Sequence, residues 1–207
     1  MPNLKHIGLF EGIGGFSYGV KQAGWETIAW CEWNPWCQKL LAHYHPNAKQ
    51  HGDITTTDFT LYRGMVNVIT AGFPCQPFSN AGSRKGTDDE RHLWPETRRA
   101  IRECRPDWVV LENVAGLLSI LQPDLISVER KTDSIPDLFG MDDRLELTRI
   151  QVQEKVIAAI ISELEAEGYT LTPVAERHPR VALIPAASVG APHRRDRIWI
   201  VAHATGH

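Results

Sequence analysis

Long apolar runs are missing from these 207 residues. No stretch approaches the roughly 18 residues needed to cross a bilayer, and Met1 to Lys5 leads into a first strand without the layout of a secretory signal. No membrane association is expected, and the expected compartment is the cytoplasm. Cysteine is scarce as well. Cys31, Cys37, Cys75 and Cys104 have neither the paired spacing of a zinc site nor the density of a disulfide scaffold. Free thiols are expected, and Cys31, Cys37, His43 and His45 match no common metal site. A basic excess is also lacking. The net charge of −3 speaks mildly against a nucleic-acid protein. Internal repeats, low-complexity tracts and linkers are absent, so residues 1–207 are expected to form one domain.

What is present alternates between strand-like and helix-like patterns. Lys5 to Phe10 reads as a strand, followed at once by Glu11-Gly12-Ile13-Gly14-Gly15. Phe16 and Val20 then stand four apart, and Gly24 ends a short helix. Strand, glycine turn and helix together put bare N–H groups at a helix start. The third glycine of a dinucleotide fingerprint is missing, because Ser17 takes its place, and this disfavours a nicotinamide. Glu26 to Trp33 forms a second strand candidate carrying Glu32, roughly 20 residues after the glycines, where α/β folds hold ribose hydroxyls. Asn34 and Pro35 read as cap and first position of a helix whose buried stripe would be Trp36, Leu40 and Leu41. Asp53 closes a third short strand, either as an ordinary turn aspartate or as an acceptor for an exocyclic amine.

Val66 to Ala71 reads as a buried strand that delivers Gly72-Phe73-Pro74-Cys75-Gln76-Pro77-Phe78-Ser79 into a loop. Ligands of open α/β sheets bind at strand carboxyl ends, so Cys75 is a candidate nucleophile; the alternative is a small buried hydrophobe. Ser83 to Arg91 is polar and long enough for a lid. A helix is expected from Pro95 to Cys104, and Asp107 to Leu111 makes a fifth strand with Glu112-Asn113-Val114 at its end. Gln122 to Arg149 has no sustained period and reads as an insertion. Val152, Val156, Ile157, Ile160, Ile161 and Leu164 recur at helical spacing up to Gly168. Thr170 to Ala175 and Arg197 to Ala202 are further strands, joined through Val189 to Pro192 and the basic run His193 to Arg197. The arginines from Arg84 to Arg105 form either a basic face or ordinary solvated helix surface.

Taken in order, Phe10 to Gly15, Glu32, Asp53, Gly72 to Ser79, Glu112 to Val114 and Gly190 to Arg197 resemble the cytosine-5 DNA methyltransferases. That resemblance implies an α/β, Rossmann-like S-adenosylmethionine-dependent methyltransferase fold: a mostly parallel sheet with an antiparallel last strand, truncated at the C-terminus. It implies that Cys75 adds to carbon 6 of cytosine, that Glu112 contacts ring N3, and that Arg195 and Arg197 orient a base flipped out of DNA. The family's usual glutamine ahead of those arginines is His193 here. For S-adenosylmethionine it implies Phe10 against the adenine, Gly12, Gly14 and Gly15 at the methionine end, and Glu32 on the ribose. Trp33 and Ile54 would sandwich the base, Asp53 would accept from its amine, and Pro74 and Leu93 would line the same pocket. Family members continue into a target-recognition region and a final motif, for which no counterpart is expected in this chain; a second polypeptide is one source of them. Alternative readings are a transfer-RNA methyltransferase of this fold, an oxidoreductase, and a non-catalytic or remnant subunit that binds only cofactor or partner.

Overall fold

A computed structural model describes residues 3–74, 93–114, 157–172 and 181–206. Five strands form its parallel half: β1 (Lys5–Leu9), β2 (Glu26–Cys31), β3 (Lys49–His51), β4 (Val68–Ala71) and β5 (Trp108–Val114). Three more complete the sheet among the described residues: β6 (Tyr169–Leu171), β7 (Ala182–Pro185) and β8 (Asp196–Ala204). The order is β3-β2-β1-β4-β5-β8-β6, with β7 also on β8. β8 runs antiparallel to β5 on one side and to β6 and β7 on the other, so the antiparallel last strand is borne out.

Helices cover both faces of this sheet. Between β1 and β2 lies α1 (Gly15–Gln22), and between β2 and β3 lies α2 (Pro35–Tyr44). The third, α3 (Trp94–Cys104), precedes β5, and a helical segment at 157–166, α4, precedes β6. Ile7, Leu9, Ala29, Cys31, Ile69 and Ala71 pack with Ala100, Ile101, Ile160 and Leu164 of α3 and α4. Trp30 points the other way, with period 2, onto Leu41 of α2. Each buried leucine or isoleucine among them removes apolar surface worth roughly 1.5–3 kcal/mol.

Local chemistry accounts for the element boundaries. Asn34 caps α2 as expected: its Oδ1 accepts from the N–H groups of Trp36 and Cys37, and Pro35 occupies the first turn. Gly14 enters α1 at φ 88° and Gly24 leaves it at φ 76°, conformations that favour glycine. Trp36 departs from the expected stripe. It is exposed, and Leu41 alone is the fully buried residue of α2. β7 adds to the expected strands, because Ala182-Leu183-Ile184-Pro185 is a short apolar run ending in proline, and only pairing with β8 makes it a strand. Val152, Val156 and Pro173 to Ala175 lie outside the described residues, as do Gln122 to Arg149 and Ser83 to Arg91.

Candidate active site and cofactor cavity

Strand register builds the site. Leu9 pairs with Cys31 on one side and Ala71 on the other, Ala71 pairs with Leu111, and Cys31 with His51. The next residue of each strand therefore falls in one row along the carboxyl edge: Gly52, Glu32, Phe10, Gly72 and Glu112. At a strand spacing of about 4.8 Å, Glu32 and Glu112 stand roughly 14 Å apart along that row.

A cavity of about 740 Å³ opens over the β2 and β3 end. Phe10, Glu32 and Trp33 line one part, Asp53 and Ile54 another, and Pro74 and Leu93 close it. All of these residues are expected together from the sequence. Cys31, Gly52 and Thr55 also line it and carry no sequence signal of their own. Glu32 Oε2 accepts from Gly12 N–H and its Oε1 from Asn34 N–H, each at 2.7 Å. A carboxylate has about four acceptor positions, so this clamped group keeps capacity for two hydroxyls. Gly12 therefore holds a site residue, while Gly14 and Gly15 shape the turn into α1 without lining the cavity. Asp53 Oδ1 accepts from both the N–H and the hydroxyl of Thr55 at 2.8 Å, an Asx turn. Asp53 stands two residues past β3 rather than at its end. Phe10 adopts φ 56°, costly for a bulky side chain, while its N–H donates to Cys31 O at 2.8 Å. Trp33 is 72% exposed, a large aromatic face left to a ligand. Arg99 of α3 fastens the cavity wall by donating to the carbonyls of Ile54 and Thr57, while it pairs with Glu96 and Glu103.

At the other end of the row, Glu112 pairs with Arg197 Nε at 2.6 Å, across the β5–β8 ladder. It lies inside β5 rather than beyond it, since pairing with β8 carries the strand on to Val114. Burial raises the Glu112 carboxyl above its ordinary range, against the opposing pull of Arg197 and then Arg195. Arg195 is exposed, with φ 36°. Trp199 sits opposite Glu112 and meets Phe16 edge-on, with centroids 5.8 Å apart. Asn113 carries a role that the sequence reading missed. Its Nδ2 donates to Phe73 O at 2.9 Å, and Phe73 packs on Trp94, so the exit of β4 is pinned two residues before Cys75. Cys75 itself lies outside the described residues.

Of the arginines at and around α3, Arg98, Arg99 and Arg105 are committed within the fold, while Arg84, Lys85 and Arg91 lie outside the described residues. Arg98 pairs with Glu163 and Glu167, Arg99 as above, and Arg105 donates to Glu167 O. His193 and Arg194 are exposed.

A family model described as C-5 cytosine-specific DNA methylase matches residues 4–124, more than half of the chain. The chain belongs to this family. It is 41% identical to the Type II methyltransferase M.PspPI of Psychrobacter sp. (strain TA137), over 54% of this chain and 27% of that protein. It is 29% identical to the Type II methyltransferase M.NgoBV of Neisseria gonorrhoeae, over 97% of this chain and 41% of that one. The fold is that of the S. pombe Dnmt2 methyltransferase crystal structure, with a TM-score of 0.64 at 18% identity, covering 99% of this chain and 52% of that one. The chain thus spans about a quarter to two fifths of the length of these curated relatives.

Proposed function

We propose that this chain is the cofactor-binding and catalytic part of a DNA cytosine-5 methyltransferase that uses S-adenosylmethionine. The observation that carries the reading is the row itself: an aromatic and acidic cavity at one end, the Glu112–Arg197 pair at the other, and the pinned Phe73–Pro74 segment between them, leading to Cys75. The cavity suits the cofactor. Its volume is that of small-molecule sites. Glu32 keeps acceptors for ribose hydroxyls, Asp53 Oδ2 for the adenine amine, and Trp33 and Ile54 offer surfaces to the ring. When bound, S-adenosylmethionine supplies an electrophilic methyl group on its sulfonium sulfur.

On this reading Cys75 adds as thiolate to carbon 6 of a cytosine flipped out of the duplex, forming the S–C6 bond. Glu112, whose carboxyl is raised by burial, supplies a proton to N3 as electron density moves to carbon 5. Arg197 holds Glu112 in place, and Arg195, whose charge also acts on Glu112, helps orient the flipped base, with the exposed His193 and Arg194 beside it. After methylation, loss of the carbon 5 proton to a base, departure of the Cys75 thiolate and return of the N3 proton to Glu112 restore the aromatic ring. Reading of a DNA sequence is assigned to residues other than these, in this polypeptide or a second one.

Incubation of the full chain with labelled S-adenosylmethionine and duplex DNA bearing 5-fluorocytosine tests the reading. A covalent protein–DNA adduct is expected, and none with Cys75→Ala. Cofactor binding with no adduct, even beside a supplied C-terminal fragment of a relative, refutes catalysis and leaves a binding subunit.

A further inference from the structure

The glycine turn contains a side chain that the proposed mechanism does not use. Glu11 follows Phe10, yet its side chain folds back under the turn and the residue is only 4% exposed. Oε2 accepts from Ser17 N–H at 3.3 Å, which is ordinary support for the first turn of α1. Oε1 and the Ser17 hydroxyl are both buried and neither makes a well-formed hydrogen bond, although the hydroxyl lies close enough to favour the charged carboxyl. The fold makes room for that oxygen. A Cβ on Gly8 of β1 would lie 1.7 Å from Oε1, so a glycine in the central strand is what admits the carboxyl.

A buried, half-partnered carboxyl is expensive, and a fold retains it where something compensates. Its surroundings show what that would be. β1 brings Gly8, α1 brings Ser17, and among the described residues the charge acting on it is the Glu32 carboxylate just past the end of β2. The link to Glu32 is short, since Gly12, the next residue, donates its N–H to that carboxylate. No cation among the described residues compensates the pair. Burial first, then Glu32, pushes the Glu11 carboxyl up to about 7 against the opposing pull of Ser17, so a modest change in nearby charge moves a proton at neutral pH.

We propose that Glu11 is the residue by which the cofactor site tells the cationic methyl donor from its uncharged product. This rests on the S-adenosylmethionine reading above. The donor carries an ammonium, a carboxylate and a sulfonium, net +1; S-adenosylhomocysteine has lost the sulfonium charge and is net neutral. Glu32, which lines the cavity, already acts on Glu11, so a positive sulfur in that cavity favours ionised Glu11 and the neutral thioether favours the protonated acid. Donor binding therefore releases a proton from Glu11, and methyl transfer lets it return, which weakens the hold of the site on the ionised form as product leaves.

The sign follows from linkage. The free site holds a proton below neutral pH, so donor affinity rises as pH rises through that range and then levels, while product affinity changes less. Isothermal titration of the full chain with S-adenosylmethionine and with S-adenosylhomocysteine at pH 6, 7 and 8 reads this directly. The donor-to-product affinity ratio is expected to climb roughly threefold to tenfold from pH 6 to pH 8 in the wild type and to stay flat in Glu11→Gln and Glu11→Ala. Repeating the titration in two buffers of different ionisation heat counts protons, and the wild-type-minus-variant difference removes those of the cofactor's own amino group. A ratio that does not change with pH, or the same change in a folded variant, overturns the inference while leaving cofactor binding intact. Binding of neither compound at any pH overturns the cofactor reading and this inference together.

Discussion

Replacement of Asn113 isolates the tether between the two halves of the site. Its Nδ2 donates to Phe73 O at 2.9 Å and its Oδ1 accepts from Val114 N–H at 2.8 Å, in a residue only 5% exposed. In Asn113→Ala the Val114 N–H, at the exposed end of β5, recovers a bond to water, whereas the Phe73 carbonyl stays buried and unpartnered. Leaving such a group unsatisfied costs about 1–3 kcal/mol. That is a sizeable share of the roughly 5–15 kcal/mol that holds a domain together. Asn113→Asp goes further above its pKa, because a carboxylate faces the carbonyl with no proton to donate. Below about pH 5 the acid regains a donor and the gap between the two variants should close. Urea unfolding at pH 8 and pH 5, read as midpoints at constant slope, gives both quantities. The order wild type, alanine, aspartate at pH 8, with alanine and aspartate converging at pH 5, is expected. Equal stability of the wild type and the alanine variant, or a pH-independent gap, would show that the bond does not hold the β4 exit. The same variants should slow adduct formation at Cys75, since the tethered carbonyl lies two residues before it.

Gly8→Ala should lose about 1–3 kcal/mol, because the new methyl displaces the Glu11 carboxyl from its buried place. Glu11→Ala in the same chain should restore most of the loss, and additive effects in that double-mutant cycle would refute the packing described. His6 bridges Thr27 and Thr70 across three strands, and burial, with His45 adding, pushes its pKa down to about 3. The unfolded chain takes up a proton near pH 6.5 that the folded one refuses, so this contribution is complete above pH 6.5 and falls away towards pH 3. About 2 kcal/mol of it is lost by pH 5. His6→Asn lacks that slope, and wild-type and variant stability curves running parallel between pH 7 and pH 5 would contradict the assignment.

The sequence disclosed those parts of the site whose chemistry is local. Asn34-Pro35 announces a helix start through the cap it makes, Glu32 stands out because it follows the apolar run Ile28 to Cys31, and Asp53 because it follows a glycine at a short strand's end. The fold class was legible in the same way, from strand and helix patterns that alternate along the chain. Residues whose role depends on distant partners were not legible. Arg98, Arg99 and Arg105 look like a basic face until Glu163, Glu167 and the Ile54 carbonyl arrive from elsewhere. Leu183 and Ile184 are exposed and become strand only because β8 offers an edge. Asn113 and Glu11 sit in motifs that drew attention to their neighbours, and only packing shows one bonded across strands and the other buried against Gly8.

The placement of β8 also sets an order of assembly. Everything that shapes the cavity, from Phe10 to Leu93, is synthesised before Val114, and its strands pair among themselves. Glu112 waits far longer, because Arg197 and the strand that covers the outer edge of β5 are synthesised well after it, within Asp196–Ala204. Such distant pairing is slow, and a domain emerging from the ribosome builds first what it already holds. A nascent chain ending before Asp196 would carry the cavity beside an open sheet edge with an unneutralised glutamate on it. Completion of the Glu112–Arg197 end of the row is thus tied to β8, so a half-made protein would form the cavity before it formed that pair.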